Sequence, residues 1–274
     1  MYKRLFAFVI ALALSSFASA QQQLSLDVQL LKLGVKGSQD SLDIFSVRHN
    51  EAMSITGLPE FSMRSGRLDF RSKFTPRFSF DFGNENHGWT ATAWGFRQTV
   101  GNGSENSSAW RTYSRLEAAS IDVAYRTKVS GGFNVYAGIK TAYTRMEEST
   151  TVGSIETQDV AVASGGVGPL VGISYSVKVS QLEMAASISQ SLLGMCSQSG
   201  FRDGHSTQSF GKFGLASITE GSARVSMKLT DHVFIGLGAF FSSWHGITVI
   251  NKDSKPSRQG ITFGGGLASI GFSF

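Results

Sequence analysis

The sequence predicts an all-β chain closed into a transmembrane, antiparallel, up-and-down β-barrel of about 10 strands, and three observations predict it. The first is composition: of 274 residues, 16% are charged and 41% hydrophobic, with 31 glycines, 21 phenylalanines, 4 prolines and 1 cysteine. A soluble domain carries about 25% charge and roughly 7% glycine. The apolar content excludes disorder, a single cysteine excludes a disulfide scaffold, and beyond the N-terminus no run of about 18 apolar residues offers a membrane helix. The second observation is period-two alternation of apolar and polar residues through most of the chain. The third is a regular exchange of tight and long connections between the alternating segments.

In chain order, residues 1–20 read as a secretory signal peptide. Lys3 and Arg4 precede the apolar run Leu5 to Leu14, and Ala18-Ser19-Ala20 supplies a small-x-small cleavage site. Ten apolar residues are about half of what a membrane helix needs. Residues 21–274 form the barrel domain. Loss of Lys3 and Arg4 lowers the formal charge from +5 to +3, an excess too small to call for nucleic acid as a partner.

Strands are expected at about 24–34, 67–83, 88–98, 114–130, 133–147, 158–179, 181–193, 212–230, 233–246 and 259–274. The second is the clearest: Phe70, Phe74, Phe78, Phe80 and Phe82 share one face, while Asp69, Arg71, Lys73, Thr75, Arg77, Ser79 and Asp81 share the other. Tight turns are expected at Asn84-Glu85-Asn86-His87, Gly131-Gly132, Ser180 and Asp231-His232. Long polar connections are expected at about 35–66, 99–113, 148–157, 194–211 and 247–258. Outer-membrane barrels show this asymmetry because their periplasmic turns are short and their extracellular loops extended, and an even strand number returns both termini to the periplasm. The predicted location is therefore the outer membrane of a Gram-negative cell.

The chain ends with Ile270, Phe272 and Phe274 at alternate positions, C-terminal Phe included. This resembles the terminal signal that outer-membrane barrels present to their assembly machinery, which makes that machinery and outer-membrane lipid the expected partners. Several segments also resemble the porin-like family typified by the Legionella major outer membrane protein. They are Arg115-Leu116-Glu117-Ala118-Ala119 through Val129, Phe133 to Lys140, Gly165-Gly166-Val167-Gly168-Pro169-Leu170-Val171-Gly172, and Ala185 to Gly194. Gly168-Pro169 is the most distinctive, since proline removes a ladder donor and is ordinarily confined to an edge or bulge. The resemblance covers about 65 to 270 and implies a pore-forming protein.

If apolar side chains face lipid, their polar partners point inward. Strand phase then assigns Asp69, Arg71, Lys73, Arg77, Asp81, Asp122, Arg126, Lys128, Lys140, Lys178, Glu183, Glu220, Arg224 and Lys228 to the lumen, nine basic and five acidic groups. They either pair across a narrow interior and rigidify it or line a basic-biased channel that prefers anions. Barrels of about eight strands are filled by side chains and open porins need about sixteen, so any conductance of a ten-stranded barrel is expected to be small. The expected function is a small passive pore or a structural barrel. The alternatives are a surface adhesin acting through long loops on a host surface or, below that, an omptin-like outer-membrane hydrolase.

Chemistry is expected to be absent. Asp203, His205, His245 and His49 could supply a base at the outer ends, yet no adjacent Asp-Asp or Asp-His pair of the omptin kind stands there. The five histidines, at 49, 87, 205, 232 and 245, show no metal-ligand spacing, and Gly101-Asn102-Gly103 has no nucleotide-binding context, so neither metal nor cofactor is expected. Trp89, Trp94, Trp110 and Trp244 are expected in interfacial girdles. Cys196 is expected as a small buried thiol near a strand end. The 35–66 connection, with Ile44-Phe45-Ser46-Val47 and Phe61, is expected as a plug or an adhesive element.

Overall fold

The computed structural model describes residues 23–37, 72–103, 110–152, 155–203, 206–250 and 256–274. The predicted signal segment, most of the first long connection with His49, and Asp69, Arg71 and His205 lie outside them.

Ten strands follow in order: β1 (Gln23–Gly37), β2 (Lys73–Gly83), β3 (His87–Gly103), β4 (Trp110–Ser130), β5 (Phe133–Val152), β6 (Ile155–Val179), β7 (Leu182–Asp203), β8 (Ser206–Lys228), β9 (Val233–Ile250) and β10 (Pro256–Ser273). Each pairs antiparallel with its sequence neighbour, and β1 pairs with β10 from Ser25↔Ser273 to Gly37↔Ile261, closing the barrel. Leu24 and Phe274 exchange backbone hydrogen bonds of 3.2 and 2.8 Å, so the last residue is part of the seam. Closure leaves no unpaired edge between first and last strand.

The tight turns use the chemistry their residues suggest. Asn84 Oδ1 accepts from the N–H groups of Asn86 and His87 at 2.9 and 2.8 Å. Thr230 Oγ1 does the same for His232 and Val233 at 3.2 and 3.0 Å. Gly131 and Gly132 adopt φ of 49° and 96°, a backbone that side chains resist. The outward face between these turns and mid-wall is apolar: Val129, Phe133, Val135, Ile139, Val171, Ile173, Leu182, Met184 and Leu237 are exposed there. From Phe133 to Tyr143 this belt rises roughly 26 Å, at about 3.4 Å per residue and a tilt of about 40°, which matches the hydrocarbon band such barrels cross.

Opposite the tight turns the structure corrects the expected connections. The segments 148–157 and 194–211, read as loops, are mostly strand: β5 and β6 run to Val152 and from Ile155, β7 and β8 to Asp203 and from Ser206. The ladders continue through Ser149↔Asp159 and Gly200↔Ser209. These stretches are rich in Ser, Thr and Gln and lack the apolar alternation that marks a lipid-facing strand. A wall that rises past the membrane meets water outside, and nothing then enforces the period of two. The expected connections at 99–113 and 247–258 also shorten, to 104–109 and 251–255, and the strict alternation of long and short fails at 148–157 and 194–211, where two residues separate the strands. At Gly168-Pro169 the β6–β7 ladder is interrupted between Val167↔Gly194 and Leu170↔Ser191. Pro169 has no N–H to give, and a Cβ on Gly168 would stand 1.9 Å from the Leu192 carbonyl oxygen, so the close approach requires glycine.

Candidate functional site

The candidate site is the lumen, identified by contacts between strands that are not neighbours in the wall. Lys140 on β5 and Glu220 on β8 meet at 2.7 Å, and Trp94 Nε1 on β3 donates to Glu220 Oε1 at 3.1 Å. Such partners reach each other only across the interior. Lys140 is fully buried and gives its three protons to three acceptors: Ser120 Oγ at 3.1 Å, the Asp122 carboxylate at 2.7 Å and Glu220 Oε2. The second Glu220 oxygen accepts also from Ser242 Oγ at 2.8 Å, and Ser242 Oγ accepts from Trp244 Nε1 at 2.7 Å. This ammonium has every donor used, which is the condition for a buried charge to persist.

On the tight-turn side of Lys140 a second group crosses the barrel. Arg224 on β8 pairs with Asp27 on β1, Gln29 donates to Asp27 Oδ2 at 2.8 Å, and Arg77 on β2 donates to Gln29 Oε1 at 2.6 Å while lying over the Phe240 ring at 5.2 Å. On the other side the interior is apolar. Leu31, Leu33, Phe96, Leu116, Leu193, Met195, Ile218, Trp244, Ile247, Ile261 and Phe263 are buried in one cluster. Trp94 stands at its base with centroids 5.3 Å from Phe263, 5.7 Å from Phe240 and 6.1 Å from Trp244. The cross-section is therefore filled at two levels, ionic below and aromatic above.

The sequence-predicted lumen residues separate by height. Arg77, Asp122, Lys140, Glu220 and Arg224 come together at mid-barrel. Asp81 and Arg126 lie nearer the tight turns, where Arg126 Nη2 donates to the Asn84 carbonyl at 3.4 Å. Lys128, Lys178 and Lys228 are exposed at that rim, Lys178 stands opposite Glu183 in the β6–β7 register, and Lys228 pairs with Asp231 at 2.9 Å. Lys73 is at the far end of β2, its ammonium on the Arg97 carbonyl at 2.6 Å.

Three expectations are corrected. Trp94 and Trp244 are inside the barrel, 4% and 0% exposed, and only Trp89, at 53%, stands in a girdle, edge-on to Tyr125 at 5.3 Å. The side chain of Trp110 lies outside the described ones. Parity carries the signal, since Trp94 alternates in phase with Thr90 and Thr92 whereas Trp89 does not. Cys196 is exposed on the outward face in the middle of β7, in phase with Leu192. Asp27 was missed from the lumen although it alternates with Ser25 and Gln29, because Leu30-Leu31 obscures the phase of β1. Of the candidate catalytic groups, His245 is on the outer surface with Nε2 2.9 Å from Ser243 Oγ.

No protein-family model matches the chain, and no curated protein matches it. Solved structures do. The outer membrane protease OmpT of Escherichia coli is similar at a TM-score of 0.57 and 8% identity, over 94% of this chain and 100% of that one. A major outer membrane protein from Thermus thermophilus is similar at 0.38 and 8%, over 92% and 99%, and Ail of Yersinia pestis at 0.33 and 9%, over 93% and 99%. At 8% identity the likeness to OmpT is one of fold, that of an outer-membrane β-barrel.

Proposed function

We propose that the chain is a non-conducting structural barrel of the outer membrane that acts through the wall it raises above the outer leaflet. The observation that carries this reading is the double occlusion of the lumen, where Lys140 and its three acceptors lie beneath a layer of Trp, Phe and Leu side chains. A filled ten-stranded interior belongs with the small closed barrels, and water-filled channels need wider ones. The tall outer part of β4 to β8 supports a surface role, because strands far longer than the membrane is thick serve no purpose within it. The exposed Ile270 and Phe274 support the terminal assembly signal, Phe272 completing it. The resemblance to the porin-like family is consistent with the wall, whereas the occluded lumen departs from that family's pore-forming activity. Reconstitution in planar bilayers tests the reading. No discrete channel events are expected, and reproducible unitary currents from the folded protein would overturn it in favour of a small pore.

A further inference from the structure

Described outward-facing charge gathers in one patch. Among residues whose side chains are described, the outer wall carries six charged groups: Lys32 on β1, Arg97 on β3, Arg115 and Glu117 on β4, and Arg145 and Glu147 on β5. Between Ala161 on β6 and Gly260 on β10 the described outward positions are apolar, small or uncharged, His245 aside. Five of the six are joined in a ladder across three strands. Arg97 Nε reaches Glu117 Oε1 at 3.2 Å, Arg115 is bonded to Glu117 and, at 3.2 Å, to Glu147, and Arg145 is bonded to Glu147. The ladder fills two successive outward rows, Arg97–Glu117–Arg145 and Arg115–Glu147, above Ile121 and Tyr143, where the apolar belt on these strands ends.

We propose that this ladder binds the phosphate groups of an acylated glycolipid of the outer leaflet. Three arginines against two carboxylates leave the ladder cationic, and guanidinium is the group whose planar donors fit phosphate oxygens. The two glutamates hold neighbouring arginines side by side, so that little side-chain freedom remains to be lost on binding. Arg97 is two-thirds exposed and presents its terminal nitrogens outward while Nε is engaged. Beneath the charges Ala93, Gly95 and Ala119 form a shelf of small residues, bordered by Tyr143, along which acyl chains can lie. A phosphorylated headgroup above and several chains below match the two halves of this surface. A phospholipid has one phosphate for a ladder three arginines wide.

The full folded protein in detergent, incubated with a bisphosphorylated acyl-disaccharide lipid, tests the assignment by native mass spectrometry. Retention of that lipid is expected to exceed retention of its dephosphorylated counterpart and of phosphatidylglycerol. Arg97→Gln/Arg145→Gln is expected to weaken it about thirtyfold, at roughly fivefold per basic group near an anionic headgroup. Equal retention of the dephosphorylated lipid, or of phosphatidylglycerol, overturns the proposal, as does an unaltered double variant. Should the double variant fail to fold, salt decides with the native chain: retention that does not fall between low and high ionic strength also overturns it.

Discussion

Lys140 shows how much one residue can hold. Its ammonium lies between Asp122 and Glu220 and bonds to both, and Lys140→Met leaves the two carboxylates facing each other in a buried interior. The expected cost is about 3–5 kcal/mol, read as a lowered midpoint of urea unfolding in micelles. Adding Asp122→Asn and Glu220→Gln to that variant is expected to restore most of the loss, because the remaining groups are then neutral. Trp94→Phe isolates a smaller effect: the ring contacts stay while Glu220 Oε1 loses one donor, for an expected loss of about 1–3 kcal/mol. In the turn after β8 the fully exposed Asp231 behaves differently. The Lys228 ammonium, through its hydrogen bond and charge, holds the Asp231 carboxyl below the usual carboxylate range. A depressed carboxyl contributes stability above its unfolded value of about 3.9 and loses it as pH falls through the folded value. Asp231→Asn is thus expected to unfold slightly faster than the native chain at neutral pH, with the two rates converging near pH 2.

At the scale of the strand, alternation is a statement about environment. It is legible in the lower halves of β2, β4 and β5, where one side meets lipid and the other the packed lumen. It fades above, where polar residues suit an outer face in water, so the extensions of β5 through β8 could not be read as strands. Backbone proximity is equally invisible in sequence. Gly168 permits the Leu192 carbonyl to approach where Pro169 has broken the ladder, and Gly168→Ala must push β7 away. A loss of about 1–3 kcal/mol is expected, with a lower temperature for the shift in heat-modifiable gel mobility. Strand phase also fixes the fate of Cys196. Lying outward in mid-strand, it is expected to react with maleimide in the folded, micelle-bound protein at a rate that unfolding raises only modestly, whereas a buried thiol would be strongly protected.

For the molecule as a whole, what matters is which side chains meet across the lumen. Phase alone places Arg77, Asp122, Lys140, Glu220 and Arg224 on inward faces, and a channel lined with charge follows as readily from that list as a lock. The choice depends on distances between strands three or more places apart in the wall, which no local pattern encodes. The same holds for the aromatic layer: Trp94, Phe240, Trp244 and Phe263 are separated in sequence and become neighbours through closure. A conducting variant follows from this arrangement. Replacing Trp94, Trp244 and Phe263 by Ala together with Lys140→Ser is expected to produce small unitary currents in planar bilayers where the native chain gives none. The sequence by itself determined ten alternating segments and four tight turns, because each rests on a local rule of periodicity or turn chemistry. Only the tertiary structure decided that the barrel is filled, that its wall outgrows the membrane and that Arg97, Arg115, Glu117, Arg145 and Glu147 join in one ladder, because each depends on register and closure around the ring.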